Sequence, residues 1–212
     1  MAITKKQFST LEDLFDYYNR ALFAGELPEC LLNLSRHGGA RGFFVAGRWN
    51  DRKKKNVHEI SLNPDTMDCA DKKWHSTLVH EMVHLWENEK GTASRRAYHN
   101  KKWARKMEAI GLMPSNTGKP GGKKTGQHMT HYVIKGGLFD KAFNNIQQQG
   151  LLNLKLPYKP ESTVKMVKGL SGIKVKYVCG CENRVWGKSE LHIKCLVCGQ
   201  KFKPDQPKVQ RI

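Results

Sequence analysis

The segment His80-Glu81-Met82-Val83-His84 sets two imidazoles four residues apart with a carboxylate between them. Positions i and i+4 share one face of a helix, so His80 and His84 can bind a single divalent cation together. Glu81 then stands beside the water that such a cation holds, where it can take a proton. This is the chemistry of hydrolysis by a metal-activated water with a neighbouring general base. On a helix without metal the same residues would be hydrogen-bonded histidines and a solvated charge. The spacing and the helical pattern around it favour zinc. A catalytic zinc takes three protein ligands and keeps one position open. His99 is the expected third ligand, with Glu108 on the following helix as the competing donor.

A second donor set lies near the C-terminus. Cys179-Gly180-Cys181 and Cys195-Leu196-Val197-Cys198-Gly199 are two close cysteine pairs with turn-forming glycines. Four thiolates so arranged can converge tetrahedrally on a structural zinc, in a module too small to fold on apolar burial alone. His192 is the alternative to one thiolate of the tighter first pair. Disulfides are disfavoured in a reducing compartment. Cys30 and Cys69 remain, and read as buried or partly buried thiols.

The elements that must position these residues are legible in the apolar spacing. Trp74, Leu78, Met82, Leu85 and Trp86 recur at helical intervals, predicting a helix from Trp74 to Glu89 that Gly91 ends. A second helix is predicted from Asn100 to Ile110, immediately after His99, so that an antiparallel return could bring His99 over the metal. Leu11, Leu14, Phe15, Tyr18, Leu22 and Phe23 predict an opening helix from Phe8 to Ala24. Strands are predicted at Leu31–Ser35, Gly42–Trp49 and Val57–Leu62, then at His128–Ile134, with a short helix at Leu138–Gln148. His128, His131 and Tyr132 are candidates for stabilising an oxyanion, although a structural role suits each better. Lys159 to Lys174, with Pro160, Gly169 and Gly172, reads as a linker.

Thirty-seven basic residues against nineteen acidic give a net charge of +18. The excess is uneven: residues 1–40 carry −1, residues 41–150 carry +10 and residues 151–212 carry +9. Clusters at Arg52–Lys55, Arg95–Arg96, Lys101–Lys106 and Lys119–Lys124 suit a phosphate backbone. Lys174, Lys176, Arg184, Trp186 and Lys188 around the cysteines are candidate nucleic-acid contacts, although Tyr177, Trp186 and Phe202 serve equally well as a small core. No apolar run approaches the ~20 residues of a membrane span and no secretory signal opens the chain. A soluble cytoplasmic protein is expected, nucleoid-associated if bacterial.

The chain resembles the SprT-like zinc metalloproteases of the SprT/Spartan type. The resemblance runs through the stretch from Leu14 to Pro28, through Ile60-Ser61-Leu62-Asn63-Pro64 and Leu78-Val79-His80-Glu81-Met82-Val83-His84, and through His99-Asn100-Lys101-Lys102-Trp103. It returns in the cysteine module. The family carries Gly before its third histidine, where Tyr98 stands here. The resemblance implies an α+β fold, a small mixed sheet packed on zinc-bearing helices in the zincin-like manner, followed by a zinc ribbon. The expected domains are a metallopeptidase domain at 1–150, a linker at 151–173, the ribbon at 174–205 and a basic tail at 206–212. The strand at Ile60 to Asn63 is expected to be an edge that pairs with substrate backbone. The implied activity is a zinc-dependent endopeptidase acting, as a monomer, on proteins bound or crosslinked to DNA. One catalytic zinc would sit on His80, His84 and His99 with Glu81 as general base, and one structural zinc on Cys179, Cys181, Cys195 and Cys198. The alternative is a DNA-binding zinc protein with a scaffold or regulatory role and little peptidase activity.

Overall fold

The computed structural model describes residues 2–36, 38–50, 56–67, 71–95, 97–148, 175–188 and 190–205. The expected linker and basic tail, Cys69, Lys174, Arg96 and Arg52–Lys55 lie outside them. The chain divides into two compact units, residues 1–157 and 158–212. Together they form a mixed α+β protein with four α-helices and several small sheets among the described residues. None of these helices is long and apolar enough to cross a membrane.

In the first unit, helix α1 (Ile3–Phe23) buries Leu11, Leu14, Phe15, Tyr18, Leu22 and Phe23. It starts five residues before the predicted Phe8 because its first turns are exposed, and periodicity sees only a buried stripe. The Asn19 side chain brackets the turn that follows, donating to the Leu27 carbonyl and accepting from its N–H, both at 3.1 Å. Strands β1 (Leu31–Leu34), β2 (Gly42–Asn50) and β3 (Asn56–Leu62) then form one sheet in the order β1-β3-β2. β3 pairs parallel with β1 and antiparallel with β2. The strand carrying Ile60 is therefore central, with both edges occupied, and the expectation that it is the substrate-pairing edge is wrong. Its resemblance segment reported burial and not edge position: Ile60 and Leu62 are both 1% exposed and join the helical core. Among the described residues the two edges of this sheet are β1 and β2.

Glu59 is buried on the opposite face of β3. Trp49 Nε1 donates to it at 2.5 Å and Ser61 Oγ at 2.6 Å, and Arg48 Nε lies 3.3 Å away. A bulge between Val45 and Trp49 brings those two β2 side chains within reach. Burial pushes the Glu59 carboxyl up, but these donors outweigh it and hold the group below the usual carboxylate value.

Helix α2 (Asp71–Glu89) runs through the middle of the unit, with Leu78, Val79, Met82, Val83 and Leu85 all fully buried. It packs on β2 and β3 on one side and on helices α3 (Lys101–Ala109) and α4 (Leu138–Gln148) on the other. A helix so enclosed is a rigid base for side chains that must converge. Strands β4 (Tyr98–His99) and β6 (Gly126–Gln127) pair antiparallel, as do β5 (Leu112–Ser115) and β7 (Thr130–Val133). The sequence shows only β7 of these, because Pro114 and the glycines after Gly118 hide the others. Gly111 (φ +89°) joins α3 to β5, and a Cβ there would lie 2.8 Å from the Leu138 backbone nitrogen.

His75 on α2 is fully buried against Trp74, Tyr18 and Phe143. Burial pushes the Tyr18 phenol up, so it keeps its proton, and its hydroxyl is hydrogen-bonded to His75 Nδ1 at 2.8 Å. Burial also holds His75 down at about 3, against about 6.5 in the unfolded chain. The folded state therefore favours neutral His75: the stability this brings is complete above about pH 6.5 and is lost as pH falls toward 3. In chelator-treated protein, His75→Phe is expected to flatten the loss of stability between pH 6.5 and 5 by up to about 1.4 kcal/mol per unit. Denaturant midpoints at the two pH values measure this, and an unchanged slope would show that His75 protonates freely.

In the second unit, β8 (Val175–Val178) lies between β9 (Arg184–Gly187) and β10 (Lys203–Pro204), all antiparallel. Tyr177 is its core residue: the hydroxyl donates to the Lys188 carbonyl at 2.8 Å and accepts from Leu191 N–H at 3.1 Å.

Candidate metal centre

His80, Glu81 and His84 occupy one stretch of α2, and β4 delivers His99 to the same place. One ligand atom from each histidine lies within 4.8 Å of the others. The ring centroids are 5.2 Å apart for His80 and His84, 5.5 Å for His80 and His99, and 4.7 Å for His84 and His99. Two local devices place His99. Ala97 takes the left-handed conformation (φ 60°), turning the chain into β4 where Tyr98 stands in place of the family's glycine. Asn100 then caps α3: its Oδ1 accepts from the Lys102 and Trp103 N–H groups at 2.7 and 2.9 Å. The Asn100 Nδ2 also ties down the preceding loop through the Thr92 carbonyl and Ser94 Oγ.

Trp103 forms the floor, fully buried, with its ring 5.0 Å from His80, 5.5 Å from His84 and 4.4 Å from His99. In the sequence it reads only as one residue of an apolar stripe.

Two of the three histidines have Nδ1 hydrogen-bonded, and the third faces a carboxylate. His80 Nδ1 lies 3.1 Å from His131 Nδ1, and His99 Nδ1 lies 3.2 Å from the Gly126 carbonyl. His84 Nδ1 faces Glu87 Oε2 at 3.8 Å. Nε2 of His80 and of His99 is left for a ligand shared with His84. Burial, the main cause, holds His80 and His99 below the ordinary histidine value, with His84 adding to the effect, so both are neutral and have lone pairs to offer. Burial likewise holds His131 at about 4, helped by Arg41.

The carboxylates also fit a cation. Glu87 is 2% exposed and its Oε1 has no hydrogen-bond partner. Glu81 is 6% exposed, and burial pushes it up to about 7 against a small opposing effect of His84. Neither pairs with lysine or arginine among the described residues. Two such buried acids beside the three imidazoles are compatible with the donor chemistry of Zn2+ with an open position. The competing third ligand, Glu108, instead pairs with Lys124 at 3.0 Å and is outside the group. His128 is exposed and Tyr132 partly buried.

The start of β2 touches α2. A Cβ on Gly42 would lie 3.0 Å from Thr77 Cγ2, 3.1 Å from the Ser61 carbonyl and 3.3 Å from Glu81 Cγ. The start of β2 thus packs against Thr77 and Glu81.

The four cysteines of the second unit also come together, their sulfurs within 4.8 Å of one another. Cys179 and Cys195 are buried, and the Cys179–Cys181 and Cys181–Cys195 sulfur separations are 3.2 and 3.7 Å. Donation from the Cys198 backbone N–H pulls the Cys195 thiol down against its desolvation, which favours a thiolate. His192 is exposed and outside the group. Among the candidate nucleic-acid contacts, Arg184, Trp186 and Lys188 are exposed, Trp186 at 60%, whereas Lys176 is engaged by Asp205 at 2.6 Å.

Two donor clusters, one of three histidines with a buried glutamate and one of four cysteines, define a candidate metalloprotein. The SprT-like family matches residues 11–125, more than half of the chain, and the chain belongs to that family. The matched region contains the second half of α1, the β1-β3-β2 sheet, α2, His99 and α3. Membership points to a metallopeptidase-type function. No curated protein matches the chain.

Proposed function

We propose that the chain is a zinc-dependent endopeptidase with a zincin-like catalytic unit and a C-terminal zinc ribbon, acting on proteins bound or crosslinked to DNA. The observation that carries the reading is the convergence of His80, His84 and His99 beside buried Glu81. Zinc held there would polarise the scissile carbonyl and acidify a bound water. Glu81 takes the proton from the attacking water and passes it to the leaving amine. The outer edge of β2, the strand whose start packs against Glu81, is the side on which an extended substrate can pair its backbone. The +18 charge and the exposed Arg184, Trp186 and Lys188 support DNA as the partner that concentrates substrate.

Gly42 ties the substrate edge to the general base. Gly42→Ala is expected to lower kcat about tenfold while zinc content holds, because Thr77 and Glu81 must yield to the new methyl group. Full activity would mean that the edge and Glu81 adjust independently.

The reading is tested by comparing cleavage of a DNA-crosslinked protein with cleavage of the same protein free in solution, at moderate salt. Faster loss of the crosslinked form supports it. Bound zinc and DNA affinity without cleavage would make the chain a DNA-binding scaffold, and cleavage indifferent to DNA would leave a peptidase without that coupling.

A further inference from the structure

We infer that His131 is a positioning residue for the metal centre, fixing which nitrogen of His80 faces the ion. The inference rests on the proposed zinc reading and goes beyond it by assigning a proton to a stated atom on each ring. His131 comes from β7, which lies beyond the region matched by the family, and reaches His80 across 51 positions of sequence.

The argument is one of exclusion. The two Nδ1 atoms are 3.1 Å apart, so no ion fits on the Nδ1 side of His80. A metal shared with His84 and His99 must therefore take Nε2 of His80, and that nitrogen must be unprotonated. A neutral ring then carries its proton on Nδ1. At 3.1 Å this proton needs an acceptor, and the Nδ1 lone pair of His131 is the atom in place. His131 consequently carries its own proton on Nε2. The opposite arrangement, with His131 Nδ1 donating, would put the His80 proton on Nε2 and block the metal. The candidate ligands thus face three different groups on their Nδ1 sides: an imidazole at His80, the Gly126 carbonyl at His99 and, 3.8 Å from His84, the buried Glu87 carboxylate. Of these, the imidazole is the one whose service depends on its own tautomer. His131 acts through His80, so of the roles open to it in the sequence the structure favours the positioning one over contact with an oxyanion.

Side-chain geometry gives a selective test. Asparagine places its amide oxygen near the position of histidine Nδ1, glutamine reaches the position of Nε2, and leucine fills space without an acceptor. Co2+ titration of the full chain, with competition by a chromophoric chelator, reads both sites separately because thiolate-to-metal bands mark the cysteine cluster alone. His131→Leu and His131→Gln are expected to weaken the histidine site about 10- to 100-fold with the cysteine site unchanged, and His131→Asn to restore it to within about threefold. Nitrogen-15 NMR of the Zn2+-loaded wild type should find the His131 proton on Nε2. Wild-type affinity in the leucine variant, rescue by glutamine in place of asparagine, or a His131 proton on Nδ1 would each overturn the assignment. A wild-type chain that takes no metal at the histidines would remove the zinc reading and this inference together. Metal binding without cleavage would remove only the peptidase.

Discussion

Glu81→Gln is expected to abolish peptide cleavage, by a factor of about 10³ or more, and to leave both metal sites filled. The amide has the shape of the carboxyl but cannot accept the proton of an attacking water, and Glu81 is not among the grouped histidine donors. Its burial makes the test unusually clean. Glu81 is 6% exposed and pushed up to about 7 in the protein without metal, so the neutral acid is the form its surroundings tolerate. The pKa is raised relative to the unfolded chain, near 4.3, so the protein is favoured below that value and loses this contribution as pH rises through about 7. A neutral amide does not lose it. Metal-free Glu81→Gln should therefore be no less stable than wild type at pH 8, and an inactive variant cannot be dismissed as unfolded. Zinc content by mass spectrometry, denaturant midpoint and cleavage rate together decide the matter. Loss of metal with activity would make Glu81 a structural support of the ligand helix, and retained activity would place the base elsewhere.

Why Glu81 and its neighbours were legible in the sequence, and others were not, follows from the range over which a sequence pattern acts. His80, Glu81 and His84 lie within five residues on one helix, so their relation is fixed by helical geometry, and the stripe from Trp74 to Trp86 announces that helix. His99 was accessible for a related reason: Asn100 starts the next helix and anchors the residue before it. Gly42, Glu59, His131 and Trp103 differ in kind. The contact of Gly42 with Glu81 and the central place of β3 depend on which strand pairs with which, and that is decided by packing across the sheet. His131 meets His80 only after β5 and β7 have paired. Glu59 reads as a solvated strand charge until the β2 bulge brings Trp49 and Arg48 to it. Trp103 fits its apolar stripe so well that nothing local distinguishes a core tryptophan from the floor of a metal site. Local periodicity thus points to the candidate ligands, while the residues packed around them emerge only from tertiary structure.

The same distinction governs the second unit, where folding itself depends on the sulfur cluster. Within residues 175–205 the buried apolar side chains are Tyr177, Cys179 and Cys195. One aromatic ring and two thiols cannot offset the backbone entropy of ordering such a segment, at about 1–2 kcal/mol per residue. Leu196 and Val197, 98% and 81% exposed at the turn between Cys195 and Cys198, add nothing to that core. Metal bonds to the four sulfurs would supply the missing stabilisation; structural zinc sites of this kind contribute about 10–16 kcal/mol. Cys195→Ser is therefore expected to release one equivalent of zinc and to unfold the second unit, while the first unit keeps its fold. Cys195 is the informative choice because it is buried at 4% exposure and lies 3.7 Å from the Cys181 sulfur, so no water can readily replace it. Amide resonances of residues 175–205 should collapse toward random-coil positions, and those of α2 should stay dispersed. If Arg184, Trp186 and Lys188 grip DNA as proposed, the steep salt dependence of DNA binding should flatten in the same variant, because those side chains lose their common scaffold. Dispersed resonances for β8 and β9 without zinc would show that Tyr177 and its two hydrogen bonds suffice, and the cysteines would then need another explanation.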